Sequence, residues 1–435
     1  MHRCAENRAR RHSGAAQPGW HVARVAALIC ALCATAAADE TLRPTVTRRG
    51  WQVDFSGYVQ VDSIAWSEES LDEVDADGEP LNQERFLIRR GRLHADIRRD
   101  DYVGSIEFDG NTIDGATARL LGASVGWVYA PDKAKPPLVV LSAGLMRIPF
   151  GLDVRAAERD KAFLEQPALA RALFPGNYDA GVMASGAYGI ARWSAAAMNG
   201  SPVADLQWQG KDPTSSFDFV GRVGFVLDGP RKSSFEAGVS ALSGKGLHPG
   251  AAPTKDDIQW VDRNEDGFIQ LNELTVIPGS PGEPSETYTR DALGVDAQVH
   301  WCLCKLGTGT AFFELAIARN LDRHLVYADP VAQSRDLREL GFAIGVVQNL
   351  GTHAQVGVRY DRYNGDRDKL ENQGVDVIGA DPTFSTLSLM ASGRYKDARV
   401  LVQYDRERNP FGRDDTGAPA TRSADRVTLR AQVGF

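Results

Sequence analysis

The last eleven residues, Asp425 to Phe435, read DRVTLRAQVGF. Val427, Leu429, Ala431, Val433 and Phe435 take every second position, with Thr428, Arg430, Gln432 and Gly434 between them. Successive side chains of a strand point to opposite faces, so this segment has one apolar face and one polar face. The same alternation starts at Trp51. Trp51, Val53, Phe55, Gly57, Val59 and Val61 share one parity, and Gln52, Asp54, Ser56, Tyr58, Gln60 and Asp62 share the other. In the next segment Phe86 and Ile88 hold one parity and Leu93, Ala95 and Ile97 the other. That slip of phase predicts a bulge near Arg89–Gly91, past which Arg92, His94, Asp96 and Arg98 join the polar face.

Read to its end, the chain contains sixteen strand-like segments joined by short and long connections in strict alternation. The short connections fall at 100–101, 131–137, 188–189, 228–233, 305–309, 350–352 and 396–398. The long ones fall at 67–82, 110–115, 148–180, 200–216, 243–287, 321–337, 365–383 and 408–424. Seven short and eight long joins place both termini on the short-turn side. The expected fold is all-β, a sixteen-stranded antiparallel transmembrane β-barrel over residues 39–435, with strands of about ten residues, short turns on one side and long external loops on the other. A soluble β-sandwich also has many short strands and is the alternative. Trp51, Trp66, Trp127, Tyr129, Tyr288 and Trp301 sit near strand ends, as the aromatic girdles of a membrane barrel do. A chain that stops on Phe435, in phase with the apolar face, resembles the C-terminal signature strand of bacterial outer-membrane barrels, which the barrel-assembly machinery reads. Pairing that strand with the first would leave no bare sheet edge in lipid.

Mean hydropathy is −0.29, which a barrel accommodates because half of each strand is polar. Residues 1–38 read as a secretory signal peptide: Arg8, Arg10, Arg11 and Arg24 precede an apolar run from Val25 to Ala38 that ends in small residues. Its removal takes five basic side chains and one acid from a chain of formal charge −8, leaving −12. Such a balance argues against nucleic acid as a partner. Only Cys302 and Cys304 would remain, so no disulfide framework holds the fold.

The third long connection carries a family resemblance. Residues 144–181 read GLMRIPFGLDVRAAERDKAFLEQPALARALFPGNYDAG. The pieces GLMRIPFGL, FLEQP and FPGNYDAG resemble the phosphate-selective porins of the O and P type, as do Arg89-Arg90-x-Arg92, Phe108-Asp109-Gly110 and Met198-Asn199-Gly200. The resemblance implies a trimeric sixteen-stranded porin whose third loop folds into the channel and narrows it. Carried onto this chain, the constriction spans 153–174, with cations Arg155, Arg159, Lys161 and Arg171 and anions Asp153, Glu158, Asp160 and Glu165. Ala162, Phe163, Leu164, Leu169, Leu173 and Phe174 would dock the loop on the inner wall. Without the resemblance, an external helical hairpin broken at Pro167 fits the same residues. Wall cations of lumen parity include Arg92, Arg359 and Arg430. The family prefers anions through an excess of lumenal arginine and lysine. Four loop cations against four anions predict a weaker preference in this chain.

The fifth long connection holds a twelve-residue calcium-loop pattern. Asp262, Asn264 and Asp266 stand at positions 1, 3 and 5, and Gly267 at the sharp turn. The Phe268 carbonyl, Gln270 and the bidentate Glu273 take positions 7, 9 and 12. The expectation is a Ca²⁺ site flanked by short helices, since Pro253 and Pro278 bound it. An ordinary acidic loop is the alternative. Glu73–Glu84 echoes the spacing with Asp75, Asp77 and Gly78, but Pro80 takes its apolar position, so it reads as an acidic loop. His300, Cys302 and Cys304 share one parity and could hold Zn²⁺ or copper, though a strained Cys302–Cys304 disulfide or idle thiols fit better. No nucleophile elbow or second metal set points to catalysis. The expected function is a porin of the bacterial outer membrane, passing small hydrophilic solutes, among them phosphate or other anions, and assembled as a homotrimer within outer-membrane lipid. The competing class is a surface interaction protein, in which the barrel is an anchor and the calcium loop binds a partner.

Overall fold

The computed structural model describes residues 44–66, 84–113, 115–303, 306–373, 376–379, 382–413 and 419–435. The expected signal peptide, the acidic connection 67–82 with its Asp75-Asp77-Gly78 echo, and Cys304 lie outside these residues.

Segments with one polar and one apolar face are satisfied together only by a closed sheet. Its strands are β1 (Trp51–Trp66), β2 (Arg85–Arg99), β3 (Tyr102–Asn111), β4 (Thr117–Tyr129), β5 (Val139–Arg147), β6 (Tyr178–Tyr188), β7 (Ala191–Met198) and β8 (Asp218–Asp228). The ring continues with β9 (Ser234–His248), β10 (Glu286–Leu303), β11 (Gly307–Arg319), β12 (Arg338–Leu350), β13 (Ala354–Asn364), β14 (Thr383–Tyr395), β15 (Ala398–Arg413) and β16 (Pro419–Gly434). Each strand is antiparallel to the next, and β16 closes the ring on β1 with Tyr58 opposite Gly434 and Trp66 opposite Arg426. A four-residue strand, Thr45–Arg48, folds back on the start of β1. The predicted bulge is present: Gln60 faces Arg90 and Val61 faces Ile88, which leaves Arg89 as the extra residue.

The burial pattern is that of a soluble protein turned inside out. Val59, Phe86, Leu93, Val125, Val223, Leu293, Ile344 and Val433 are exposed on the outer face. Asp62, Asp109, Arg222, Asp296, Glu314, Arg359, Asp405 and Arg430 are buried inside. No helix among the described residues is long and apolar enough to cross a membrane; the strands do so instead.

Two connections differ from expectation. The long loop placed at 408–424 is mostly ladder, with Arg408 opposite Ser423 and Asn409 opposite Arg422, because a hairpin standing in water still gains by pairing its backbone. In the connection between β9 and β10, paired strands flank the calcium-type loop where short helices were expected, with a single 3₁₀ turn at Leu271–Glu273. Asp257–Trp260 pairs with Leu274–Ile277, Ile258 opposite Val276, and the β-branched residues of this stretch suit a ladder.

The third loop, 148–177, lies inside the barrel. Its short helix α1 (Ala168–Leu173) starts directly after Pro167, so the proline begins a helix where the external-hairpin alternative placed a break. Phe150, Leu169, Ala172, Leu173 and Phe174 pack in one cluster with Ala196, Met198, Val220, Leu242, Ala316 and Tyr363 of the wall. At this height the inner wall is therefore apolar, and the loop covers it.

The seam depends on Gly57. The Phe435 N–H donates to the Gly57 carbonyl at 3.0 Å, and Gly57 N–H donates back at 3.2 Å. A Cβ on Gly57 would lie 2.6 Å from Phe435 Cζ and 2.7 Å from the Arg92 carbonyl oxygen. Gly57→Val is therefore expected to abolish the heat-resistant folded band on gel electrophoresis, while Val59→Ala, two residues along the same face, keeps it. A Gly57→Val protein with a normal folded band would contradict this account of closure.

Candidate functional site: the lumen and its inward loop

A loop inside a barrel leaves water behind, so its backbone needs other partners. The wall supplies them. Gly151 N–H donates to Ser240 Oγ at 3.1 Å and Asp153 N–H to Glu314 Oε2 at 3.0 Å. Leu164 N–H donates to Gln403 Oε1 and Ala168 N–H to Asp361 Oδ1, both at 2.9 Å. In the other direction, Arg359 donates to the Glu165 carbonyl at 2.6 Å, and Arg399 to the Lys161 and Ala162 carbonyls at 2.8 and 3.0 Å. Four strands, β9, β11, β13 and β15, thus hold one loop by its main chain, and Arg430 on β16 adds a fifth.

The strongest pin joins loop and seam. Arg430 on β16 meets Asp62 on β1 bidentately at 2.6 and 2.7 Å, donates to the Leu164 carbonyl, and lies 3.6 Å from Glu165. Arg89, the bulge residue, adds 2.9 Å to Asp62 and 3.6 Å to Glu165. Asp62 is 0% exposed, a position a carboxylate holds only when paired.

The other cations expected in the pore divide into two groups. Arg92 is held by Glu107 and Asp109 at 3.3 and 3.1 Å, and Lys161 by Asp153 and Glu158 at 2.6 and 2.8 Å. Arg359 lies 3.4 Å from Asp361 and stacks over Phe163. Arg155, by contrast, is exposed, donates to the Gly151 carbonyl at 3.2 Å, and among the described residues has only Glu236 as an ion-pair partner, at 3.7 Å. Arg159 lies over Gly434, where a Cβ would come 2.7 Å from its guanidinium. Arg171 ends α1, half-buried, with a buried Nε that finds no partner among the described residues. Ser240, Glu314 and Gln403, which hold the loop, were missed in the sequence. Their inward parity was legible, but their opposition to particular loop residues was not.

Burial alone would raise the Glu158 carboxyl, but the Lys161 ammonium and Arg90 guanidinium beside it hold it down at about 2, against an ordinary 4.5. A depressed folded-state value adds stability that is complete above the unfolded value and is lost as pH falls through about 2. This contribution to loop seating is thus constant from neutral pH down to about 5 and fails only in strong acid.

External loops rest on the opposite side of the third loop. Arg323 N–H donates to the Ala172 carbonyl at 2.9 Å, and its guanidinium reaches Asp218 and Asp205 at 3.3 and 3.7 Å. On the short-turn side two cavities of about 400 Å³ each remain open. One lies against β9–β13 beside Glu236, Glu314, Phe312 and Arg359, and the other against β5–β8 beside Arg147, Met183 and Arg192. Arg155 borders both.

The calcium-type loop has the right turn but not a gathered ligand set. Asp262 accepts from Asp266 and Gly267 N–H at 3.2 and 2.8 Å, Asn264 Oδ1 accepts from Asp266 N–H, and Asp266 accepts from Phe268 N–H at 2.8 Å and Gln270 Nε2 at 2.6 Å. Gly267 has φ +75°. Glu273 is 1% exposed and bonds Trp260 Nε1 and Arg263 N–H, at 3.1 and 3.3 Å. Among the described residues no three His, Cys, Asp or Glu side chains converge as a metal would require. His300 bonds Thr310 Oγ1 at 2.8 Å, and Cys302 has no disulfide partner among the described residues.

No protein-family model matches this chain, and no curated protein matches it. Solved structures match its fold. The outer membrane channel DcaP of Acinetobacter baumannii aligns at TM-score 0.58 and 13% identity over 91% of this chain and 100% of that one. OprB of Pseudomonas putida aligns at 0.53 and 10%, over 88% and 94%, and an anion-selective porin from Comamonas acidovorans at 0.50 and 10%, over 88% and 100%. The chain has the porin fold, that of a bacterial outer-membrane barrel. The likeness is to porins in general and does not single out the phosphate-selective type.

Removing one partner of a buried ion pair costs about 3–5 kcal/mol, and Arg430→Gln would leave Asp62 with Arg89 alone. In single-channel recordings at pH 7 the variant is expected to show larger and noisier openings than the parent. A variant as quiet as the parent would remove the pinning role.

Proposed function

We propose that this protein is a passive channel of the bacterial outer membrane for small hydrophilic solutes, narrowed by the loop 148–177. The observation that carries the reading is the set of wall side chains that seat this loop across a charged interior. Nothing in a purely structural anchor requires a barrel whose loop is fixed by five strands. Anion preference, phosphate included, is the finer proposal. Arg155, Arg159 and Arg171 support it, while the pairing of Arg92, Lys161, Arg359 and Arg430 with carboxylates weakens the net field. The selectivity proposed is therefore mild and anionic. A homotrimer is proposed with it, supported by the small outward residues Gly91, Gly104, Ala123, Ala143 and Ala184, which allow a second wall to approach closely.

Calcium binding by Asp262, Asn264, Asp266, Phe268, Gln270 and Glu273 is a separate proposal. Its support is the spacing and the turn at Gly267. The ion would draw Glu273 from Trp260 and relieve repulsion among the carboxylates. The competing reading, a surface interaction protein, is favoured by Phe268 and Leu271, 74% and 90% exposed at this tip.

Planar-bilayer recording separates the channel from the anchor. Stepwise conductance in sets of three equal levels, with a small reversal potential toward chloride in a KCl gradient, is the expected result. A barrel without steps would end the channel reading, and near-ideal anion selectivity would show that the charges were weighed wrongly. For the calcium proposal, calorimetry on the purified protein should show Ca²⁺ heat at millimolar ion that Glu273→Gln removes, with conductance unchanged. Absence of that heat in the parent protein would dispose of the site.

A further inference from the structure

The two cavities on the short-turn side of the inward loop differ in charge. Five carboxylates, Asp153, Asp160, Glu165, Glu236 and Glu314, border the cavity against β9–β13, with three cations, Arg155, Lys161 and Arg359. Four arginines, Arg147, Arg155, Arg192 and Arg222, border the cavity against β5–β8, and no carboxylate does. Two carboxylates reach these arginines from behind: Glu236 lies 3.2 Å from Arg222 and 3.7 Å from Arg155, and Asp296 lies 2.5 Å from Arg222. Four cations against two acids leave this cavity with a surplus of two positive charges.

The surplus sits on Arg147 and Arg192, whose bonds go to neutral oxygens. Arg147 donates to Tyr178 Oη at 2.9 Å and the Arg155 carbonyl at 3.2 Å. Arg192 donates to the Gly189 and Ala191 carbonyls at 2.8 and 2.9 Å. Neither has an ion-pair partner among the described residues. Each guanidinium is thus oriented by the backbone or a phenol while its charge stays available, which is how an anion site is built in advance.

The remaining lining is mostly apolar, with Val140, Pro149 and Met183 on the inward face, interrupted by the hydroxyls of Ser185 and Ser194. A strongly hydrated inorganic anion gains nothing from an apolar floor. A carboxylate carrying an apolar body gains twice, by charge-assisted bonds to guanidinium and by removing its hydrocarbon from water. A cavity of about 400 Å³ is within the size range of small-molecule sites. We propose that the cavity bordered by Arg147, Arg155, Arg192 and Arg222 binds small organic carboxylates with an apolar body and concentrates them at the short-turn end of the lumen. This inference deepens the channel reading and rests on it.

The test uses the full-length barrel in planar bilayers in KCl, with benzoate, inorganic phosphate and benzyl alcohol added in turn on the short-turn side. Benzoate should block the current with a half-blocking concentration at least tenfold below that of phosphate, and benzyl alcohol should not block. Arg147→Gln and Arg192→Gln, each checked for the heat-resistant folded form, should raise the half-blocking benzoate concentration fivefold or more. Equal block by phosphate would overturn the apolar part of the proposal, and equal block by benzyl alcohol the charged part. Unaltered block in both variants would place the site elsewhere and overturn it outright. If no conductance steps occur, the channel reading fails on its own. Benzoate calorimetry on the same protein then decides the site: heat that both variants lose sustains it, and no heat removes it.

Discussion

Lipid offers no hydrogen-bond partner, so every backbone N–H and C=O at membrane depth must be paired inside the protein. In this chain that constraint fixes the ring of sixteen strands and makes the join of β16 to β1 indispensable. It explains why Gly57 carries no side chain where Phe435 arrives, and why the chain's last residue still takes part in the ladder. It also explains why strand polarity is inverted relative to a soluble sheet.

Closure creates a second requirement. The enclosed face is polar, and charges removed from bulk water are stable only in pairs. Asp62 with Arg430 and Arg89, Arg222 with Asp296, and Arg92 with Asp109 are how the interior meets this requirement. The inward loop extends it by using the wall's side chains as partners for its own backbone. Arg430 belongs to the seam, the ion-pair network and the loop anchor at once, so barrel closure and lumen width are coupled through one residue.

What is left after pairing is informative. A wall whose cations are mostly engaged presents only the unengaged ones to a solute. Among them are Arg159 on the loop and Arg147 and Arg192 on β5–β7, with Arg155 held loosely by Glu236 at 3.7 Å, rather than the arginines with the most obvious inward parity. The lumen is thereby divided into an acidic and a basic half on the short-turn side, with Arg155 at the boundary.

The strands, their number, the bulge at Arg89 and the side on which each connection lies were legible in the sequence. Each follows from local alternation, which depends on nearest neighbours along the chain. The inward loop was legible only through the GLMRIPFGL, FLEQP and FPGNYDAG resemblance, since its own residues fit an external hairpin equally well. Two readings failed for a shared reason. The connection at 408–424 and the flanks of Asp262–Glu273 carry turn-type and acidic residues, yet pair as strands because a ladder partner lies opposite them. The state of each charge lay wholly beyond the sequence. Arg92 and Arg192 both have inward parity, but Arg92 meets Glu107 and Asp109 while Arg192 meets only carbonyls. Parity is a property of one strand, whereas pairing depends on which residue the closed ring sets across from it, and that register exists only in the tertiary structure.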